Sequence, residues 1–138
     1  RHLLPLLKKS DQGRIIFTGS VTYEMGFACL SAYVASKGAV IGVTRSLAHE
    51  LKGTGITVNC IVPGAIRVEK ESGKGDDKLI AWQSVPRRLE PADLLGLTCL
   101  LLSRAGGGIS AQAITVDGGI LHPLGDPEVQ GRKAGPID

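Results

Sequence analysis

The segment Ile56-Thr57-Val58-Asn59-Cys60-Ile61-Val62 constrains the fold more than any other part of the chain. It is apolar almost without interruption, and Pro63-Gly64 ends it sharply. A strand covered on one face alternates apolar and polar residues. A strand covered on both faces reads as a near-continuous apolar run, and such strands belong to parallel sheets with helices on either side. Arg14 to Thr18 has the same buried-strand character. Gln112 to Val116 makes a third strand, closed by Asp117-Gly118-Gly119. Between the first two lies a helix from about Ser31 to Lys52, stopped by Gly53 and Gly55. Val40, Val43, Leu47 and Leu51 keep helical spacing and mark its expected buried face. Strands alternating with helices predict an α/β chain with a parallel sheet.

The remaining segments fill in that plan. Residues 1–9 read as the last turns of a helix, ending on Lys8 and Lys9, which suit a helix C-terminus. Because the chain opens on Arg1 within those turns, it reads as a fragment or a front-truncated product. Residues 20–30 are expected to be a loop. Pro91 opens a helix so rich in leucine (Leu94, Leu95, Leu97, Leu100, Leu101 and Leu102) that burial on most sides is expected. Ser103 to Gly108 is a glycine-rich link, and residues 122–138 read as a flexible tail. The 138 residues allow at most one ordinary domain.

Composition excludes several classes. The net charge of +3 is scattered, which gives nucleic acid no footing. Cys29, Cys60 and Cys99 form no C-x-x-C pair, and His2, His49 and His122 no ligand-spaced cluster, so neither a disulfide framework nor a metal site is expected. Buried free thiols in a reducing compartment are. The longest apolar run, near Leu94 to Leu102, is too short to cross a membrane, and no signal peptide is recognisable. A cytoplasmic protein is expected.

Chemistry concentrates around Tyr33 and Lys37. Four residues apart on a helix, they share one face, one turn from each other. A free tyrosine, with a pKa of about 10, is a poor acid–base group at neutral pH, and a neighbouring ammonium favours its phenolate. Ser20, where a strand gives way to a loop, could hold the same substrate oxygen that Tyr33 protonates. Such a trio suits proton transfer to and from an alcohol or carbonyl oxygen.

The ordered set of Gly13 to Ser20, Tyr33 and Lys37, Gly38-Ala39-Val40, Ile56 to Gly64 and Val116 to Gly119 resembles the short-chain dehydrogenase/reductase family, from about Arg1 to Leu121. The resemblance implies the C-terminal half of a Rossmann-type domain over residues 1–121, a partial doubly wound parallel sheet. It implies hydride transfer between NAD or NADP, with no choice between them, and a small carbonyl or alcohol substrate. Tyr33 would transfer the proton, Lys37 would lower its pKa and bond the nicotinamide ribose, and Ser20 would position the substrate oxygen. Pro63, Gly64 and a backbone amide near Ile66 would lie against the nicotinamide.

Substrate class stays open between sugars or polyols and 3-oxoacyl-carrier-protein substrates. Val68 stands where the family often has a threonine that contacts the cofactor phosphates. Residues 67–85, with Trp82 near their end, resemble the family's mobile substrate loop. The resemblance also implies a homo-oligomer, a dimer or tetramer, since the family often uses this leucine-rich helix and last strand in subunit contacts. The family's glycine-rich phosphate loop is expected upstream of residue 1. The rival expectation is a truncated, inactive relic or an assembly partner that binds no cofactor. The reading frame upstream of Arg1 separates the two.

Overall fold

The computed structural model of the protein describes residues 2–67 and 80–121. Helix α1 (Leu4–Lys9) leads into strand β1 (Arg14–Thr18). Helices α2 (Thr22–Met25) and α3 (Ser31–Glu50) precede β2 (Thr57–Pro63). A 3-10 turn (Pro91–Leu94) runs into α4 (Leu95–Leu102), and a second 3-10 turn (Ala105–Gly108) precedes β3 (Ala113–Val116). The strands form one parallel sheet in the order β1-β2-β3. The fold is the expected α/β type.

β2 is the centre, and all seven of its residues are buried. Arg14 to Thr18 pair in register with Thr57 to Ile61, and Cys60 to Pro63 with Ala113 to Val116. Alternation sends Val58, Cys60 and Val62 towards α3, where they meet Ile41 and Leu51. Asn59 is buried in the same strand, but its side chain donates to Ile109 O at 2.7 Å and accepts from Gln112 N at 3.1 Å. A buried amide so satisfied costs little, and it fixes the approach to β3.

Several expectations need correction. Val43 is exposed, and the buried residues of α3 are Ile41 and Thr44. At 100° per residue Val43 lies a quarter-turn outside the face centred on Thr44, although its spacing from Val40 and Leu47 looks helical. The leucine-rich helix is not buried on most sides, since Leu95, Leu100 and Leu102 are exposed and only Leu101 is fully buried. An eight-residue helix lying on a sheet covers one face only. β1 is half-buried, with Thr18 exposed, because among the described residues it pairs on one side alone. Of the three thiols only Cys60 is buried, while Cys29 and Cys99 sit on the surface.

The loop expected over residues 20–30 contains α2, a single turn too short to leave a periodic pattern and ended by Gly26 at φ +65°. The glycine link 103–108 likewise holds a 3-10 turn. Most of the expected substrate loop 67–85, including Val68, and the expected tail 122–138 lie outside the described residues.

Candidate active site

In a parallel sheet the strand C-termini share one edge, and the chain leaves β1, β2 and β3 there side by side. Beyond β1, Gly19 N donates to Ile61 O at 2.8 Å and Val21 N to Pro63 O at 3.0 Å. Ser20 is therefore held between two ladder bonds, next to the end of β2, and is nearly buried at 9% exposure. Beyond β2, Gly64 N donates to Val116 O at 2.9 Å. Ligands in open α/β sheets bind at this edge.

Helix α3 supplies the other side chains. Tyr33 and Lys37 stand eleven and seven residues before Thr44, each within about 20° of its direction on the helix. They continue the buried face past the end of the strands, where it meets solvent. Tyr33 is accordingly 44% exposed. Lys37 Nζ lies 5.6 Å from the centre of the Tyr33 ring and donates to Thr18 O at 3.1 Å. The ammonium thus sits over the ring face and is pinned to the last residue of β1, two before Ser20. One of its three protons is committed, and two remain for a ligand.

The expected residues fall into three groups. Lys37, over the Tyr33 ring, reaches the last residue of β1, two residues before Ser20. Pro63 adjoins Ser20 through the Val21 bond. Gly64 turns the chain away, and Ile66 pairs in parallel with Leu89, Arg67 N donating to Leu89 O at 2.8 Å.

Three features escaped the sequence reading. First, Ser20 Oγ accepts from Thr22 N at 3.3 Å and from the Thr22 hydroxyl at 3.0 Å. The spacing S-x-T is a local-turn signal, but one common in loops. Second, Asp117 is buried and both its oxygens are used, Oδ1 accepting from Gly119 N and Oδ2 from Leu121 N at 2.8 Å each. The Asp-Gly-Gly triplet is an Asx-turn signature that could have revealed this. Third, that turn is packed against residues 83–85 on one side and Gly64 on the other. Ser84 N and Val85 N donate to Gly118 O at 2.7 and 3.1 Å, and Gln83 Nε2 to Asp117 O at 3.0 Å. On the other side, a Cβ on Gly64 would lie 2.7 Å from Asp117 Cα.

The chain resembles known proteins over most of its length. A family model described as enoyl-(acyl carrier protein) reductase matches residues 1–121. The chain is 33% identical over 125 residues to a 3-oxoacyl-[acyl-carrier-protein] reductase of Chlamydia pneumoniae, covering 88% of this chain and 49% of that protein. It is 28% identical over 130 residues to a D-xylose 1-dehydrogenase of Caulobacter vibrioides, covering 86% and 52%. Among solved structures, a blue fluorescent protein from a metagenomic library in complex with NADPH superposes with a TM-score of 0.74 at 37% identity, over 80% of this chain and 46% of that one. The chain spans about half the length of the curated relatives it matches.

Proposed function

Since the chain belongs to the short-chain dehydrogenase/reductase family, we propose that the protein is an NAD(P)-dependent oxidoreductase, moving hydride between a nicotinamide and a small carbonyl or alcohol substrate. The observation that carries the reading is the Lys37 ammonium over the Tyr33 ring, pinned to Thr18 O at the end of β1, two residues before Ser20. Tyr33 gives its phenolic proton to the carbonyl oxygen during reduction and takes it back during oxidation. Ser20 holds that oxygen. The two uncommitted protons of Lys37 fit the hydroxyls of a nicotinamide ribose, and the backbone from Pro63 to Ile66 would lie against the nicotinamide. The bound nicotinamide supplies the hydride. The reading covers NAD and NADP alike. The named relatives support a 3-oxoacyl thioester or an aldose as substrate.

Two further parts belong to the reading. The outward leucines of α4 support a homo-oligomer. The free thiols Cys29 and Cys99 on the surface support a cytoplasmic setting.

The test is Tyr33→Phe in the complete gene product, assayed with a 3-oxoacyl thioester and an aldose against both nucleotides. Turnover should fall by at least about 10²-fold, the low end for general acid catalysis. Nucleotide affinity should stay within a few-fold, because ring packing survives. Turnover at the wild-type rate would refute the assignment.

A further inference from the structure

We propose that Thr22 is a positioning residue that makes Ser20 a dedicated hydrogen-bond donor to the substrate oxygen; the inference rests on the oxidoreductase reading above. A serine hydroxyl has one proton and two lone pairs. At Ser20 the Thr22 N–H, which can only donate, takes one lone pair at 3.3 Å, and in the proposed arrangement the Thr22 hydroxyl, 3.0 Å away, donates to the other. The Ser20 proton is then directed away from Thr22. The backbone cannot swing to compensate, because Gly19 N and Val21 N are both tied into the sheet.

This directionality matters for the reaction. A carbonyl oxygen can only accept hydrogen bonds, and the charge it gains as hydride arrives must be met by donors already aimed at it. A serine free to rotate divides its proton among acceptors. A serine with both lone pairs filled has one use for it. Neither residue changes its covalent bonds. In reduction a bound nicotinamide would supply the hydride to the carbonyl carbon, the proton comes from Tyr33, and Ser20 keeps its own.

The experiment uses the complete gene product and its variants Thr22→Val, Thr22→Ala, Thr22→Ser, Ser20→Ala, Ser20→Ala with Thr22→Val, and Tyr33→Phe. Each is assayed with a 3-oxoacyl thioester and an aldose against NADH and NADPH, alongside thermal unfolding. Thr22→Val should lower kcat about tenfold, the worth of one hydrogen bond in the transition state, with nucleotide KM within about twofold. Thr22→Ser, which keeps the hydroxyl, should restore kcat to within about threefold. In the Ser20→Ala background Thr22→Val should cost nothing more, since a residue acting through another has no effect once that one is gone. Should Thr22→Val unfold, Thr22→Ala is read in the same way. A normal kcat without the Thr22 hydroxyl, or an equal loss in both backgrounds, overturns the Thr22 role alone, provided Tyr33→Phe is inactive. No turnover by the wild type, or full turnover by Tyr33→Phe, overturns the oxidoreductase reading and the Thr22 role together.

Discussion

Tyr23 and Tyr33 are the chain's two tyrosines, and their surroundings give them different chemistry. The Tyr23 hydroxyl donates to Glu24, and with partial burial that bond pushes its pKa up to about 12. Tyr23 keeps its proton throughout the physiological range and is no candidate for transfer. Tyr33 lies exposed under the Lys37 ammonium instead. Lys37→Met should harm two things together, because one group both faces the Tyr33 ring and carries the two free protons. Turnover should fall by at least about tenfold. Nucleotide affinity should weaken in the same variant. Wild-type turnover with normal affinity would make Lys37 an ordinary surface lysine. The pair was legible in the sequence because helical periodicity is a strong local rule. Thr22 was not, because its meaning depends on a partner hydroxyl whose own position comes from the sheet.

The elements around the site meet at the turn after β3. Asp117 folds residues 117–121 with its carboxylate, and Gly118 and Gly119 follow at φ +68° and +87°. Gly64 packs on the Asp117 backbone with no room for a Cβ. Gly64→Ala should therefore destabilise the fold by about 1–3 kcal/mol, as overpacking does. It should also lower activity by shifting the Pro63–Ile66 segment, and calorimetry beside the activity assay would check both. A wild-type melting temperature would mean that the turn yields freely.

Across the loop, Arg87 makes a two-pronged contact with Asp93 at 2.8 and 2.6 Å, and Asp93 Oδ2 also accepts from Glu90 N. The guanidinium first, and that backbone N–H second, hold the Asp93 carboxyl well below the usual carboxylate range. A depressed folded pKa stabilises the fold above the unfolded pKa of about 3.9, and the effect fades as pH falls through the folded value. The melting-temperature gap between wild type and Asp93→Asn should accordingly be full at pH 7 and shrink below about pH 4. A gap that stays constant down to pH 2 would exclude the linkage. The strands and α3 were readable from composition and period. This hub was not, since it joins residues 64, 83–85 and 117–119, which only the sheet brings together.

At the scale of the whole molecule, α4 poses a problem that its sequence hides. A helix that is apolar all round has no pattern to say which side faces the sheet. The structure chooses Leu101 for the inside and leaves Leu95, Cys99 and Leu102 outside. Those three, spaced four and three residues apart, form one stripe along the helix. Leu95 is 60% and Leu102 52% exposed, values that a lone surface leucine tolerates but that a continuous apolar stripe does not readily keep in water. Covering the stripe with the same stripe of a second copy needs no new chemistry, and a two-fold axis does it with a self-complementary patch. Leu95→Glu with Leu102→Glu should therefore leave each chain folded, because neither side chain contributes to the core. It should also reduce the assembled mass to a smaller species in light scattering coupled to size exclusion. Like charges brought together across the axis would oppose reassembly. An assembly of unchanged mass in that variant would move the interface elsewhere and leave the α4 stripe without a role in association.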